Sequence, residues 1–236
     1  MLTLAVDTAT PQVSAAVGSD ERLLASFRSL AGRRHGETLA PGLAFLAGAA
    51  GIALSDIQMV AVDAGPGLFT GLRVGLATAK ALASALEIRV QAFTSTDVLA
   101  FPHRAQDRPV AAVVDARRHE VFWAVYDGAG RRQGEPQVAA PDDAARALAA
   151  SCDPSAGLLI VGDGALRYRG AFAATPGAEI GGPEWAYPGA EAVLAMAAAP
   201  AAGTGLDPLD PLDPLDVRAL YGRQADVRIG WEQRCA

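Results

Sequence analysis

The chain has 236 residues, 51% of them hydrophobic, with a formal net charge of −6 and an isoelectric point near 5.1. That length supports one large domain or two lobes with separate cores, and the apolar content excludes disorder as the default state. Arginine carries nearly all the positive charge, Lys80 being the one lysine; such an acidic chain repels phosphate backbones at long range, which argues against tight autonomous nucleic-acid binding but leaves a local arginine patch open.

The elements follow in order. Leu2–Val6 reads as a fully apolar strand ending at Asp7, Val13–Val17 as a second and Leu23–Phe27 as a third, with turns at Thr10-Pro11 and Ser19-Asp20. Glu37–Ala50 carries Leu39, Leu43, Phe45, Leu46 and Ala50 at mainly helical spacing, with Gly51 as its stop. Met59–Val62 is a fourth strand, Thr70–Leu86 a second helix and Ile88–Ala92 a further strand. The order restarts near Pro109: strands Val110–Val114 and Val121–Tyr126, a helix Asp142–Ala150, a strand Leu158–Val161, a turn at Gly162-Asp163-Gly164, and a helix from about Gly189 to Ala199. Asp7 precedes Val13, Ala16 and Val17 by the same steps that separate Asp115 from Val121, Ala124 and Val125, which suggests an internal repeat. A mixed sheet flanked by helices, made twice, is the expected α/β architecture. The first lobe would span 1–103 and the second 104–236, with an acidic proline-rich segment at 206–216 whose Leu-Asp-Pro repeats exclude a helix.

Cys152 and Cys235 form no CxxC pair, so neither a disulfide framework nor a cysteine zinc site is expected. Asp7 interrupts the first apolar run, which does not suit a secretory leader, and no uncharged stretch has membrane-spanning length. The expected setting is the cytoplasm, with no membrane partner.

The most informative stretch is Gly65-Pro66-Gly67-Leu68-Phe69-Thr70-Gly71-Leu72-Arg73-Val74-Gly75, between a strand and a helix. It is placed like a phosphate loop but lacks the chemistry of one. Leu72 and Arg73 follow Gly71 where a Walker loop needs Lys-Ser/Thr, and Thr70 stands where a dinucleotide fingerprint needs its third glycine. Gly71, Gly75, Ala79 and Ala83 recur every fourth residue and form a ridge without bulk. Such a ridge serves either packing within the chain or helix association with another chain.

Asp7, Thr8, Asp115 and Arg117 lie where open α/β sheets place ligands and are the candidates for a nucleotide or anion contact; the alternative is that the aspartates bond turn amides. His35 has Leu39, not a second ligand, one turn on, so no metal is expected there, and no residue is assigned a catalytic role. Asp115-Ala116-Arg117-Arg118-His119-Glu120-Val121 is the densest polar cluster; it could supply acid/base pairs, an anion clamp from Arg117 and Arg118, or a solvated turn between strands.

The glycine-rich stretch resembles the GPGSFTGLRIG signature of the TsaB (YeaZ) family. Asp7-Thr8-Ala9-Thr10 is similar to that family's opening turn, and Arg34-His35-Gly36-Glu37-Thr38-Leu39-Ala40-Pro41 to its R-H-S-E-x-L-L-P segment. Asp115 through Phe122 resembles D-A-R-x-x-E-V-Y, and Leu220-Tyr221-Gly222-Arg223-Gln224-Ala225-Asp226 the tail L-Y-x-R-x-A-D. Leu68 and Gly36 each replace a serine of the pattern, and Ala219 stands where a proline is usual.

The resemblance implies two actin-like (ASKHA, ribonuclease H-like) lobes and a non-catalytic role. The implied partner is TsaD, the threonylcarbamoyltransferase, which acts with the ATPase TsaE beside the tRNA anticodon. A second copy of the chain takes that place when TsaD is absent, and tRNA is met only through the complex. No intrinsic cofactor is implied, although an adenine nucleotide at the complex interface is compatible with it. The implied interface falls on the first two helices, at His35, Glu37, Leu39, Leu43, Phe69, Thr70, Gly71, Arg73, Val74, Gly75, Thr78, Ala79 and Leu82. A bulky residue at Gly75 is then expected to abolish pairing while sparing the fold. The competing readings are an independent ATPase or small-molecule kinase of the same fold, a peptidase acting on TsaD, and a self-associating module.

Overall fold

A computed structural model describes residues 1–19, 22–32, 34–199, 213–214 and 216–220. Most of the Leu-Asp-Pro segment and the tail pattern from residue 221 onward lie outside the described residues.

The first sheet joins β1 (Thr3–Asp7), β2 (Gln12–Ser19), β3 (Arg22–Leu30), β4 (Met59–Asp63) and β5 (Arg89–Phe93) in the order β3-β2-β1-β4-β5. β1 runs antiparallel to β2 and parallel to β4. Every residue of β1 and β4 is buried, because both faces of these central strands are covered. Helices α1 (His35–Ala50) and α2 (Phe69–Leu86) cover the outer face. Gly51 ends α1 in the left-handed region (φ 69°), closing onto Ala47 and Gly48.

The second sheet repeats the plan. It comprises β6 (Val110–Arg117), β7 (Glu120–Tyr126), β8 (Gln137–Ala139), β9 (Leu158–Val161) and β10 (Ala178–Ile180), in the order β10-β9-β6-β7-β8. β6 is antiparallel to β7 and parallel to β9, as β1 is to β2 and β4. α4 (Pro141–Ser151), α5 (Asp163–Arg167) and α6 (Arg169–Phe172) lie on its outer side.

Two helices exchange places between the sheets. α3 (Ser95–Ala100), which follows β5, packs on β6 and β7, while α7 (Ala190–Ala198), which follows β10, packs on β1, β2 and β4. Their apolar side chains fill a shared central core with Ala5, Ala16 and Ala61 from one sheet and Ala112, Phe122 and Leu159 from the other. The sheets divide the chain between β5 and β6; the packing does not.

The repeat is real in topology but offset in register. Ala5 faces Ala16 across the first hairpin, whereas Ala112, not Val113, faces Ala124 across the second. Equal sequence steps therefore put Asp7 on the inward face with Ala5, and Asp115 on the outward parity of Ala111 and Val113. The turn expected at Gly162-Asp163-Gly164 is instead the start of α5. Beyond the sequence expectations are α3, β8, α5, α6 and β10, each six residues or shorter. α3 is buried on every side and so shows no amphipathic period.

Candidate functional site

The glycine-rich stretch brings three segments into contact. Leu68 N–H donates to Ala9 O (2.6 Å), and Thr8 Oγ1 donates to Gly71 O (2.7 Å). His35 Nε2 donates to Thr10 O (2.8 Å), so that nitrogen carries a proton. A Cβ at Gly67 would collide with Ala9 O, one at Gly71 with Thr8 O, and one at Gly75 with Thr8 Oγ1. The glycines are needed because α2 and its entry loop lie directly on the β1–β2 loop.

This placement corrects the reading of the small-residue ridge. Gly71, Gly75, Ala79 and Ala83 are all buried against their own chain, as are His35, Leu39 and Leu43. Leu39 fills the core one turn beyond His35, so the two positions cannot together bind a metal. A bulky side chain at Gly75 would strike Thr8 before it met any partner. Of the thirteen proposed interface positions, Glu37, Phe69, Thr70 and Arg73 are exposed, and Val74, Thr78 and Leu82 are half-buried.

The outward surface of the two helices is nevertheless distinctive. α1 exposes Ala40, Pro41, Ala44, Phe45, Gly48 and Ala49, and α2 adds Phe69, Ala77 and Ala81. Phe45 is 67% exposed and Phe69 51%. The Arg73 guanidinium lies 3.8 Å from the Phe69 ring centroid. Sequence reasoning placed Phe45 with the core stripe. At about 100° per residue it points some 200° away from Leu43, and that angle was the available signal.

Inward, at the ends of β1 and β4, stands a pair of fully buried carboxyls. Asp7 Oδ1 accepts from Ala9 N–H (2.9 Å). Asp63 Oδ1 accepts from Gly65 N–H (2.8 Å) and Ser95 Oγ (2.7 Å). Oδ2 of each has no donor from the chain. Burial pushes Asp63 up to about 7. Burial and the neighbouring Asp63 push Asp7 well above the ordinary carboxyl range. Asp63 had not been singled out from sequence; its signal was an aspartate ending an apolar strand, as Asp7 does.

Asp115 belongs to a second site. Its buried carboxylate accepts from Arg117 Nη1 (3.0 Å) and lies 3.4 Å from Arg167 Nη1, while its N–H donates to Asp163 (2.9 Å). Asp7 Oδ1 and Thr8 Oγ1 bond to the backbone of Ala9 and Gly71, and a buried acid pair does not suit a phosphate. The four residues marked for an anion therefore divide between two separate clusters.

Fold and surface together define the class: a two-lobed α/β protein of the actin-like fold, with duplicated sheets and an apolar helical face. A family profile described as TsaD, tRNA N6-adenosine threonylcarbamoyltransferase, matches residues 28–160, more than half of the chain. An uncharacterized protein of Mycobacterium leprae is 37% identical over 165 residues, covering 68% of this chain and 43% of that protein. The Escherichia coli protein named tRNA threonylcarbamoyladenosine biosynthesis protein TsaB is 35% identical over 129 residues, covering 53% of this chain and 55% of that one. The matched region thus spans about half the length of these two relatives. The structure of YeaZ from Pseudomonas aeruginosa superposes with a TM-score of 0.79 at 30% identity, covering 93% of this chain and 99% of that chain. The chain belongs to the TsaB (YeaZ) family.

Proposed function

We propose that this chain is a non-catalytic accessory subunit that docks on TsaD through the outward faces of α1 and α2 and thereby supports formation of threonylcarbamoyladenosine in tRNA. The observation that carries this reading is the helical face itself: two exposed phenylalanines set among alanine, glycine and proline, with Glu37 the one acidic residue on the exposed part of α1. Exposed aromatic anchors on a surface poor in charge are the anatomy of an interface core. In this reading a second copy occupies the face when TsaD is absent, and TsaE and tRNA join through the assembly in the cytoplasm. An adenine nucleotide would lie at the junction with TsaD, outside the Asp7 region.

The test is product formation by TsaD, TsaE, threonylcarbamoyl-adenylate and tRNA, with and without this chain. Addition of the chain is expected to stimulate product. Phe45→Glu is expected to remove both that stimulation and co-elution with TsaD while leaving the melting temperature unchanged. An assembly indifferent to the chain would overturn the proposal.

A further inference from the structure

The two crossing helices leave a cavity of about 480 Å³ beside them. One wall is the single turn Phe101–His103 that follows α3, another is the turn Pro183–Trp185 with the chain leading into α7, and Arg28 of β3 stands at the side. The volume lies within the range of small-molecule sites, about 300–1,000 Å³. Asp7, Asp63 and Asp115 do not line this cavity, and neither does any residue of α1 or α2. The polar group that distinguishes it is His103, which is 4% exposed and stands edge-on to Trp185 with ring centroids 4.7 Å apart. A relay sets its tautomer. Arg108 Nε donates to Gln106 Oε1 (3.3 Å), which turns the amide nitrogen of Gln106 toward His103 Nδ1 (3.2 Å). Nδ1 therefore accepts, and the ring proton sits on Nε2. Burial, with Arg108 nearby, holds the imidazole below its ordinary pKa, so the ring is neutral. Among the described residues no group accepts from Nε2–H. A buried donor left unpaired beside a cavity calls for an acceptor from outside the chain.

The rest of the lining is flat and electrically balanced. The Arg104 guanidinium lies over the Phe101 ring, 3.7 Å from its centroid, and donates to Phe101 O (2.8 Å), so it is held as a planar surface. Trp185 and Tyr187 add two half-buried rings, and Val98 and Leu99 supply buried apolar surface. Arg28 is spent on Glu191, through Nε (3.1 Å) and Nη2 (2.9 Å). Arg108, beside His103, is paired with Glu179 at 2.6 Å. That leaves Arg104 and Glu184 on the lining, one charge of each sign, with His103 neutral. An anionic ligand would meet no surplus of positive charge there.

We infer that this cavity binds a neutral heteroaromatic base of the purine kind, lying against the planar groups and accepting from His103 Nε2–H at a ring nitrogen or carbonyl oxygen. The flat walls favour a ring over an aliphatic chain, because aromatic and guanidinium planes stack on a π-face. The one buried N–H asks for an acceptor, and the balanced charge selects a ligand without charge of its own.

The probe is hypoxanthine, titrated into the full chain by calorimetry at neutral pH. A Kd at or below about 1 mM is expected for a ligand of this size. It should stay within about twofold between about 50 and 500 mM salt, because screening does not act on a neutral ligand. His103→Phe keeps a ring beside Trp185 but removes the N–H, and should weaken binding about three- to tenfold. Ala195→Phe, at an exposed position of α7 on the cavity lining, fills the space from outside and should abolish binding while leaving the melting temperature unchanged. Should His103→Phe melt below the wild type, Ala195→Phe carries the test. In the wild type the His103 Nε2–H resonance should shift on addition of hypoxanthine. Absence of binding by the wild type, an affinity indifferent to Ala195→Phe, or displacement by inorganic phosphate would each overturn the inference. No arm of the test needs TsaD, so a failure here leaves the accessory-subunit reading untouched.

Discussion

Asp7→Asn tests the buried acid pair most directly. Asp7 and Asp63 are fully buried, and each leaves Oδ2 without a donor from the chain. Burial raises both; Asp97 adds to the rise at Asp63, and Arg28 opposes it at Asp7. Carboxyls whose folded values lie above their unfolded value near 4 keep protons that the unfolded chain has released. Their contribution to stability is therefore fully present in acid and is lost as pH rises. Both carboxyls contribute above about pH 4, and Asp63 ceases to do so once it ionises near 7. Each retained proton tilts stability by about 1.4 kcal/mol per pH unit. Asn at position 7 removes one titrating group, keeps an acceptor for Ala9 N–H and offers an N–H to Asp63. The variant should flatten the pH dependence, its gain on the wild type growing as pH rises above about 4 by no more than about 1.4 kcal/mol per pH unit. Urea unfolding of both proteins at about pH 5, 6.5 and 8 measures the difference. Parallel stability curves would refute the reasoning, because they would mean that Asp7 is ionised in the folded chain.

Three further outcomes follow from the same geometry. Gly75→Ala places a methyl group against Thr8 Oγ1 inside a packed contact and should destabilise the protein by about 1–3 kcal/mol, read as a lower melting temperature; an unchanged melt contradicts the packing described. Arg132→Ala removes the guanidinium whose Nη1 reaches both oxygens of Asp97 (3.1 Å to each), whose side chain is 5% exposed, leaving Tyr126 Oη at 2.7 Å. A loss of about 2–4 kcal/mol is expected by chemical denaturation, below the figure for a fully buried pair because Arg132 is 22% exposed, and a loss under about 0.5 kcal/mol would count against the network. Phe69→Glu, at a 51% exposed site, should leave the melting temperature within about 2 °C of the wild type while abolishing co-elution with TsaD.

The sequence by itself determined the longer strands and the longer helices. The runs Thr3–Asp7, Met59–Asp63 and Val110–Arg117 are apolar because central parallel strands are covered on both faces, and that pattern survives without knowledge of the partner strand. The duplication was legible for the same reason, as was the absence of phosphate-loop chemistry after Gly71. Tertiary structure alone decided which face each residue uses. The period of Gly71, Gly75 and Ala79 is the same whether the ridge meets Thr8 or another molecule, and only the path of the β1–β2 loop shows that it meets Thr8. The one-residue offset between the hairpins separates Asp7 from Asp115, turning one toward Asp63 and the other toward Arg117 and Arg167. α3 and α7 cross between the sheets because the inner face of each sheet is apolar and some helix must cover it, and nothing local in the chain says which. Periodicity fixes that a side chain is buried or paired; the identity of its neighbour is a long-range fact of packing.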